Sequence, residues 1–227
     1  TLDFHAVIAH VKRTIATLAP HDSVARFEKL GCQVLLGQGK FIDATTVTVK
    51  TTSIKATRFV LATGSSPFIP PILGLSNVPF YTNETIFDIG GLPKHLVVIG
   101  GGPIGCELAM AFSMLGANVT LIVRSQLLPK EAYDFTEVIR HSMKEKGIVL
   151  YENAMIDSTA DLNQRLVVVI KHESKEKIIT GSHLLIATGR TPNIQGLSLD
   201  KAKVEYNEKG IVVDTRLRTT NKKILAM

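Results

Sequence analysis

Leu96-Val-Val-Ile-Gly100-Gly-Gly-Pro-Ile-Gly105-Cys-Glu-Leu-Ala109 is the stretch whose reading decides the fold. Its four leading apolar residues read as a short buried strand. Gly100, Gly102 and Gly105 follow in the spacing G-x-G-x-x-G, and an apolar run from Ile104 to Leu115 continues at helical spacing to a stop at Gly116. In such a pattern the first glycine permits a tight turn. The second lets a pyrophosphate approach the backbone, and the third lets helix and strand pack closely. The phosphates sit on the free N–H groups at the helix N-terminus. Alone, the glycine pattern is weak evidence. Here a strand precedes it, a helix follows, and residues 119–123 supply a second apolar run that completes a strand–helix–strand unit. The pattern therefore predicts a dinucleotide site; the alternative is a tight structural turn that binds nothing.

The bulk properties narrow the field. The chain of 227 residues allows one large or two modest domains. Its net charge of +6 suits a phosphate-rich ligand, but the charge is spread too thinly for nucleic acid, and no basic block stands out. Cys32 and Cys106 lie far apart with no metal or redox spacing, so both are expected to be buried structural thiols in a reducing compartment, the cytoplasm. No signal-peptide pattern is read, and the most apolar stretch is broken by glycines, a proline and Glu107, so no membrane span is expected. The scattered histidines show no ligand spacing, and no metal site is predicted.

Before the glycine loop, Asp3 can cap a helix whose apolar positions are Phe4, Val7, Ile8, Val11, Ile15 and Leu18, ended by Pro20. A shorter helix starts at Asp22 or Ser23 and stops at Gly31. Short β-rich runs at 33–36, 39–42, 46–50 and 54–62 follow, an antiparallel meander ending in a buried strand. Residues 65–94, rich in Pro, Asn and Gly, read as a connection. After the glycine unit, a helix is predicted over 133–146, with Phe135, Val138, Ile139 and Met143 inward and Gly147 as its cap. A strand at 148–151 and a second set of β runs at 155–158, 165–171 and 177–179 come next. Buried strand 184–187 and two short strands at 211–214 and 223–226 complete the chain.

An internal repeat sets the architecture. Ala62-Thr-Gly64-Ser-Ser-Pro67 is echoed by Ala187-Thr-Gly189-Arg-Thr-Pro192, and each copy follows an apolar strand that follows a meander. The fold class expected is α/β: a Rossmann-like FAD/NAD(P)-binding domain with a three-stranded antiparallel meander, plus part of a second such domain. The expected boundaries are 1–92 for the C-terminal part of the FAD domain, 93–192 for the NAD(P) domain and 193–227 for a return segment. A chain opening on Thr1-Leu-Asp and closing inside a strand is expected to be a piece of something longer, with the first glycine loop upstream.

At these residues the chain resembles the pyridine nucleotide–disulfide oxidoreductases. The resemblance rests on Ala62–Pro67, Leu96–Ala109, Ala187–Asn193 and the tail Thr219-Thr-Asn-Lys-Lys-Ile-Leu-Ala226. The run Val119-Thr-Leu-Ile-Val-Arg-Ser125 falls nearest the mercuric reductase branch. The resemblance implies an NAD(P)H-dependent FAD oxidoreductase, homodimeric in its full form. Hydride passes from NAD(P)H to FAD, then electrons pass to a C-x4-C cysteine pair and on to a disulfide or metal substrate. It implies no catalytic residue within this stretch, which alone should be inactive and colourless. By position, Gly100, Gly101, Gly102, Pro103, Ile104 and Gly105 would hold the nicotinamide cofactor's pyrophosphate. Glu107 would support a lysine beside the flavin, Met155 would pack on the adenine side, and Gly189 would lie against the nicotinamide half. Thr63, Gly64 and Ser65 would touch FAD, and Arg190 would lie near both cofactors. Pro103 departs from the family, several members of which carry an aromatic gate there; its ordinary role is the first residue of a helix.

Cofactor choice is read at the end of the second strand. NAD sites carry an acidic residue there for the ribose 2′-hydroxyl. Here Arg124 and Ser125 stand instead, with Lys130 nearby. An arginine can hold a 2′-phosphate through two parallel N–H bonds, so NADP is expected over NAD. Two competing readings are a redox sensor that binds NAD(P)H and FAD without catalysis, and an NADH-dependent flavoprotein reductase without a redox disulfide.

Overall fold

The computed structural model describes residues 2–163 and 165–227. Helices α1 (Phe4–Leu18) and α2 (Val24–Lys29) are followed by strands β1 (Gly39–Asp43), β2 (Thr46–Val49), β3 (Thr52–Lys55), β4 (Phe59–Leu61) and β5 (Ser65–Pro67). Next come β6 (His95–Ile99), α3 (Pro103–Met114), β7 (Asn118–Ile122), α4 (Tyr133–Glu145) and β8 (Val149–Tyr151). A second meander, β9 (Met155–Asp161), β10 (Leu166–His172) and β11 (Lys175–Gly181), leads into β12 (His183–Ile186) and β13 (Arg190–Pro192). The chain closes with β14 (Tyr206–Asn207), β15 (Gly210–Ile211) and β16 (Ile224–Ala226). It divides into two compact units, one of residues 1–15 and 67–189, the other of residues 16–66 and 190–227.

The first unit is built on a parallel sheet of order β12-β6-β7-β8. Alternation along β6 explains why both faces are covered. Leu96 and Val98 join one core with Cys106, Ala109 and Phe112 of α3 and Met143 of α4. Val97 and Ile99 join the other with Val168 and Ile170 of the β9–β10–β11 meander. A strand buried on both faces must be apolar at every position, as Leu96–Ile99 is, and each such side chain contributes about 1.5–3 kcal/mol on burial. The Pro- and Gly-rich stretch after β5 packs on this sheet. Tyr81 N–H donates to Leu184 O and Ile186 N–H to Tyr81 O, both at 2.8 Å, and Leu75, Val78, Ile86 and Ile89 are buried.

In the second unit β1, β2 and β3 form the antiparallel meander, with a bulge between Phe41 and Asp43. Strand β16 pairs in parallel with β4, setting Ile224 beside Phe59. Phe41, Leu199, Ala202, Val204 and Ile224 make the core, and Phe41 meets Phe59 edge-on at 5.4 Å. Asn221 holds the tail by donating to Ala44 O and Ala202 O.

Several local expectations are corrected. Residues 33–36 form no strand, and Leu36 is exposed; three apolar residues without a ladder partner do not make a sheet. On α4, Phe135 and Val138 are exposed while Thr136 and Met143 are buried, so the inward stripe is rotated from the predicted one. On α1 only Phe4 is buried, and Ile15 and Leu18 stand exposed. A 3.6-residue period marks an apolar face without saying what covers it. The strand expected over 211–214 shortens to β15, and Val212 and Val213 are exposed.

Candidate dinucleotide-binding site

The glycine loop joins β6 to α3, and each glycine answers to a different neighbour. A side chain on Gly105 would place its Cβ 1.9 Å from Gly100 O, and one on Gly100 would place it 2.2 Å from Ala187 O. Gly100 also adopts a φ of +120°, and its N–H donates to Ile122 O at 2.9 Å. Gly101 is pressed against Val123, where a Cβ would lie 2.6 Å from either γ-carbon. Gly102 differs: nothing lies within 4 Å of its Cβ position. Three glycines are thus required by packing, whereas Gly102 faces open space.

Gly102 is the N-cap of α3 and Pro103 its first residue. The first helical bond is Cys106 N–H to Gly102 O at 3.0 Å, and no side chain caps this end. The N–H groups of Ile104 and Gly105 therefore have no partner within the helix. An uncapped helix start beneath an open glycine fits a pyrophosphate group. Glu107 lies one turn into α3 and is exposed.

The ends of β7 and β8 adjoin this loop. Val123 N–H donates to Tyr151 O, Ala154 N–H to Val123 O, and Asn153 N–H to Ser125 O, at 2.8–3.0 Å. Arg124 and Ser125 leave the sheet together, both exposed. Leu128 N–H returns to Gly101 O at 2.8 Å, so the loop after β7 is tied to the glycine loop. Met155, exposed at the start of β9, follows Ala154 of the same set. Gly189, with φ +125° and open space at its Cβ position, follows the strand that abuts Gly100.

In the second unit Thr63, Gly64 and Ser65 meet residues of the other repeat copy. Asn193 N–H donates to Gly64 O at 3.0 Å and Asn193 Nδ2 to Thr63 O at 3.1 Å. Arg190 Nε donates to Ser65 Oγ at 2.8 Å, and its Nη2 donates to Ser65 O.

Two groups near the β7 loop went unread in the sequence. Glu152 accepts from Leu127 N–H at 2.6 Å and from Arg140 Nε and Nη2 at 2.7 and 2.9 Å. Arg140 also bonds Glu137. Hydrogen bonds from Arg140 and then Leu127 hold the Glu152 carboxyl below its usual range against the opposing effect of burial. The available signal was its place after β8, because residues following adjacent parallel strands lie side by side.

Cys106 is buried, its Sγ 3.6 Å from Gly101 O, and burial pushes its thiol up to about 11. Cys32 is exposed, contrary to expectation. Among the described residues no cluster of His, Cys, Asp or Glu could hold a metal ion, and no helix is long and apolar enough to cross a membrane.

A parallel sheet with a glycine turn at an uncapped helix start, its other face covered by an antiparallel meander, defines a Rossmann-like dinucleotide-binding protein. Residues 8–227 match the family model for pyridine nucleotide-disulphide oxidoreductases, and the chain belongs to that family. It is 32% identical over 231 residues to a mercuric reductase of Streptomyces lividans, covering 99% of this chain and 49% of that protein. With a mercuric reductase of Bacillus cereus it shares 40% identity over 197 residues, covering 86% of this chain and 31% of that protein. Among solved structures, the HOCl-induced flavoprotein disulfide reductase RclA of Escherichia coli superposes with a TM-score of 0.87 at 29% identity, over all of this chain and 52% of its own. The chain spans about half the length or less of these relatives. The family implies FAD and a nicotinamide cofactor.

Proposed function

We propose that this chain supplies the nicotinamide-cofactor site and part of the FAD site of a flavin-dependent disulfide or metal reductase, and that it prefers NADPH. The observation that carries the reading is Gly102, open at an uncapped helix start, tied through Gly101 and Leu128 to the loop that carries Arg124 and Ser125. When bound, the nicotinamide supplies a hydride and FAD accepts it for delivery to a cysteine pair. The chain's own residues bind and orient. The N–H groups of Ile104 and Gly105 would donate to pyrophosphate oxygens, and Arg124 with Ser125 would donate to the 2′-phosphate. Met155 packs on the adenine side, Gly189 leaves room for the nicotinamide half, and Glu107 supports a lysine beside the flavin. Residues 93–192 are assigned to the nicotinamide domain, and Thr63, Gly64, Ser65 and Arg190 to the FAD side.

Calorimetric titration with NADPH and, separately, NADH tests the reading. NADPH should bind at least about tenfold more tightly, the effect of one charge-assisted bond, and Arg124→Glu should abolish the difference. Equal binding of both cofactors, or an unchanged ratio in Arg124→Ala, would sink the assignment of Arg124.

A further inference from the structure

The loop that carries Arg124 and Ser125 rests on a carboxylate. Four hydrogen bonds from backbone N–H groups bracket it: Ala154 N–H to Val123 O, Asn153 N–H to Ser125 O, Leu127 N–H to Glu152 Oε1, and Leu128 N–H to Gly101 O. Of these only the Leu127 bond uses a side chain. Leu127 itself is buried and Leu128 has a φ of +46°, so the loop turns sharply where Glu152 grips it. A cavity of about 310 Å³ lies here, with Gln126, Glu131, Glu137, Arg140 and Glu152 among its walls.

This is an unusual floor for a phosphate-binding loop. Glu131, Glu137 and Glu152 line the same cavity, and a 2′-phosphate brings up to two further negative charges. Arg140 answers both carboxylates that it reaches. It forks onto Glu152 through Nε and Nη2 and bonds Glu137 through Nη1. The Glu152 and Arg140 side chains are 19% and 27% exposed, so solvent screens them only in part.

Resting on the functional reading above, we propose that Glu152 and Arg140 form a positioning pair for the adenosine end of the cofactor. Glu152 fixes the backbone that presents Arg124 and Ser125, and Arg140 cancels the carboxylate charge that would otherwise repel the 2′-phosphate. The pair therefore sets selectivity between NADPH and NADH without touching either. Loss of Arg140 exposes Glu152 as a bare anion beneath the loop. That penalises a ligand with a 2′-phosphate and largely spares one without it.

The test is a double-variant cycle on the 227-residue chain, read by calorimetric titration with NADPH and NADH. Arg140→Ala should weaken NADPH about tenfold or more, the scale of an uncompensated charge at the edge of a protein, and NADH much less. Adding Glu152→Gln to Arg140→Ala removes the bare charge but keeps an acceptor for Leu127 N–H, and should restore most of the NADPH affinity. Arg140→Lys, which keeps the charge with less risk to the fold, should retain selectivity. Equal weakening of both cofactors in Arg140→Ala, or no rescue by Glu152→Gln, would mark the pair as structural only and overturn the inference. Arg124→Ala in the same series separates the two levels of argument. If Arg124→Ala lowers the NADPH preference and Arg140→Ala does not, the functional reading stands and this inference fails. If Arg124→Ala changes no ratio, or the unaltered chain binds neither cofactor, the functional reading fails and takes this inference with it.

Discussion

Ser65 and Arg190 hold the same place in the two repeat copies, 125 residues apart, and they are bonded to each other. Arg190 Nε donates to Ser65 Oγ at 2.8 Å while Nη2 donates to Ser65 O. Asn193 completes the join, donating from Nδ2 to Thr63 O and accepting from Ser66 Oγ at 2.8 Å. The sequence echo is therefore also a pairing of Ser65 with Arg190 within the second unit, and each copy leaves its parallel strand through a glycine in positive φ, Gly64 or Gly189.

The first prediction concerns this join. Asn193→Ala removes two side-chain bonds at an exposed position, which should cost about 1–2 kcal/mol of stability. Ser65→Ala removes one and should cost less than about 1 kcal/mol, because Arg190 retains Ser65 O. Urea unfolding of both variants checks the order; a larger loss in Ser65→Ala would show that Asn193 does not hold the ribbon.

The second prediction separates structural from functional glycines. In Gly105→Ala the new Cβ would meet Gly100 O at 1.9 Å, which should destabilise the chain by about 2–3 kcal/mol or more. Gly102→Ala meets nothing within 4 Å, and its φ of −79° suits any residue. It should fold with a loss of about 1 kcal/mol or less, the cost of alanine at an N-cap, yet bind NADPH more weakly. Thermal unfolding alongside calorimetry distinguishes the two; a Gly102→Ala chain that binds normally would show that the loop holds no pyrophosphate.

What could be read ahead of the structure divides along physical lines. The run Leu96–Ile99 announced a buried strand because every position is apolar, and the glycines announced the turn because sterics admit little else at Gly100 and Gly105. The repeat gave both meanders. The faces of α1 and α4 were less legible, because periodicity ranks positions around a helix but the neighbours choose the stripe. Glu152 offered only its place after β8, for a related reason. Its partners Leu127 and Arg140 become neighbours only once β7 and β8 are placed side by side, and a lone glutamate after a strand carries no local mark of that.

The third prediction concerns the thiols. Cys32 is exposed, while Cys106 is buried with its thiol pushed up to about 11 by burial and then by Glu107 and Glu152. The reactive species is the thiolate, so in the folded chain near neutral pH only Cys32 should react quickly with a thiol reagent. Cys106 should join only after denaturant is added. Two fast equivalents from the folded chain would contradict the packing of α3 against Gly101.

The last prediction follows the Glu152–Arg140 pair through pH. Hydrogen bonds from Arg140 and Leu127 lower the Glu152 pKa from its ordinary value of 4.5 in the folded state. A carboxyl depressed on folding adds stability that is present above its unfolded value and lost as pH falls through its folded one. Two charge-assisted bonds link the pair, so at pH 7 Arg140→Ala should cost about 1.5–3 kcal/mol. That gap should begin to close as pH drops below 4.5 and be lost as pH passes the lowered folded value, where Glu152 takes up its proton and no longer holds the arginine. Urea midpoints of both chains across acidic pH, with the Leu127 amide exchange rate as a local probe, measure this. A gap that stays constant across that range would mean Arg140 stabilises α4 by packing its stem, with the carboxylate playing no part.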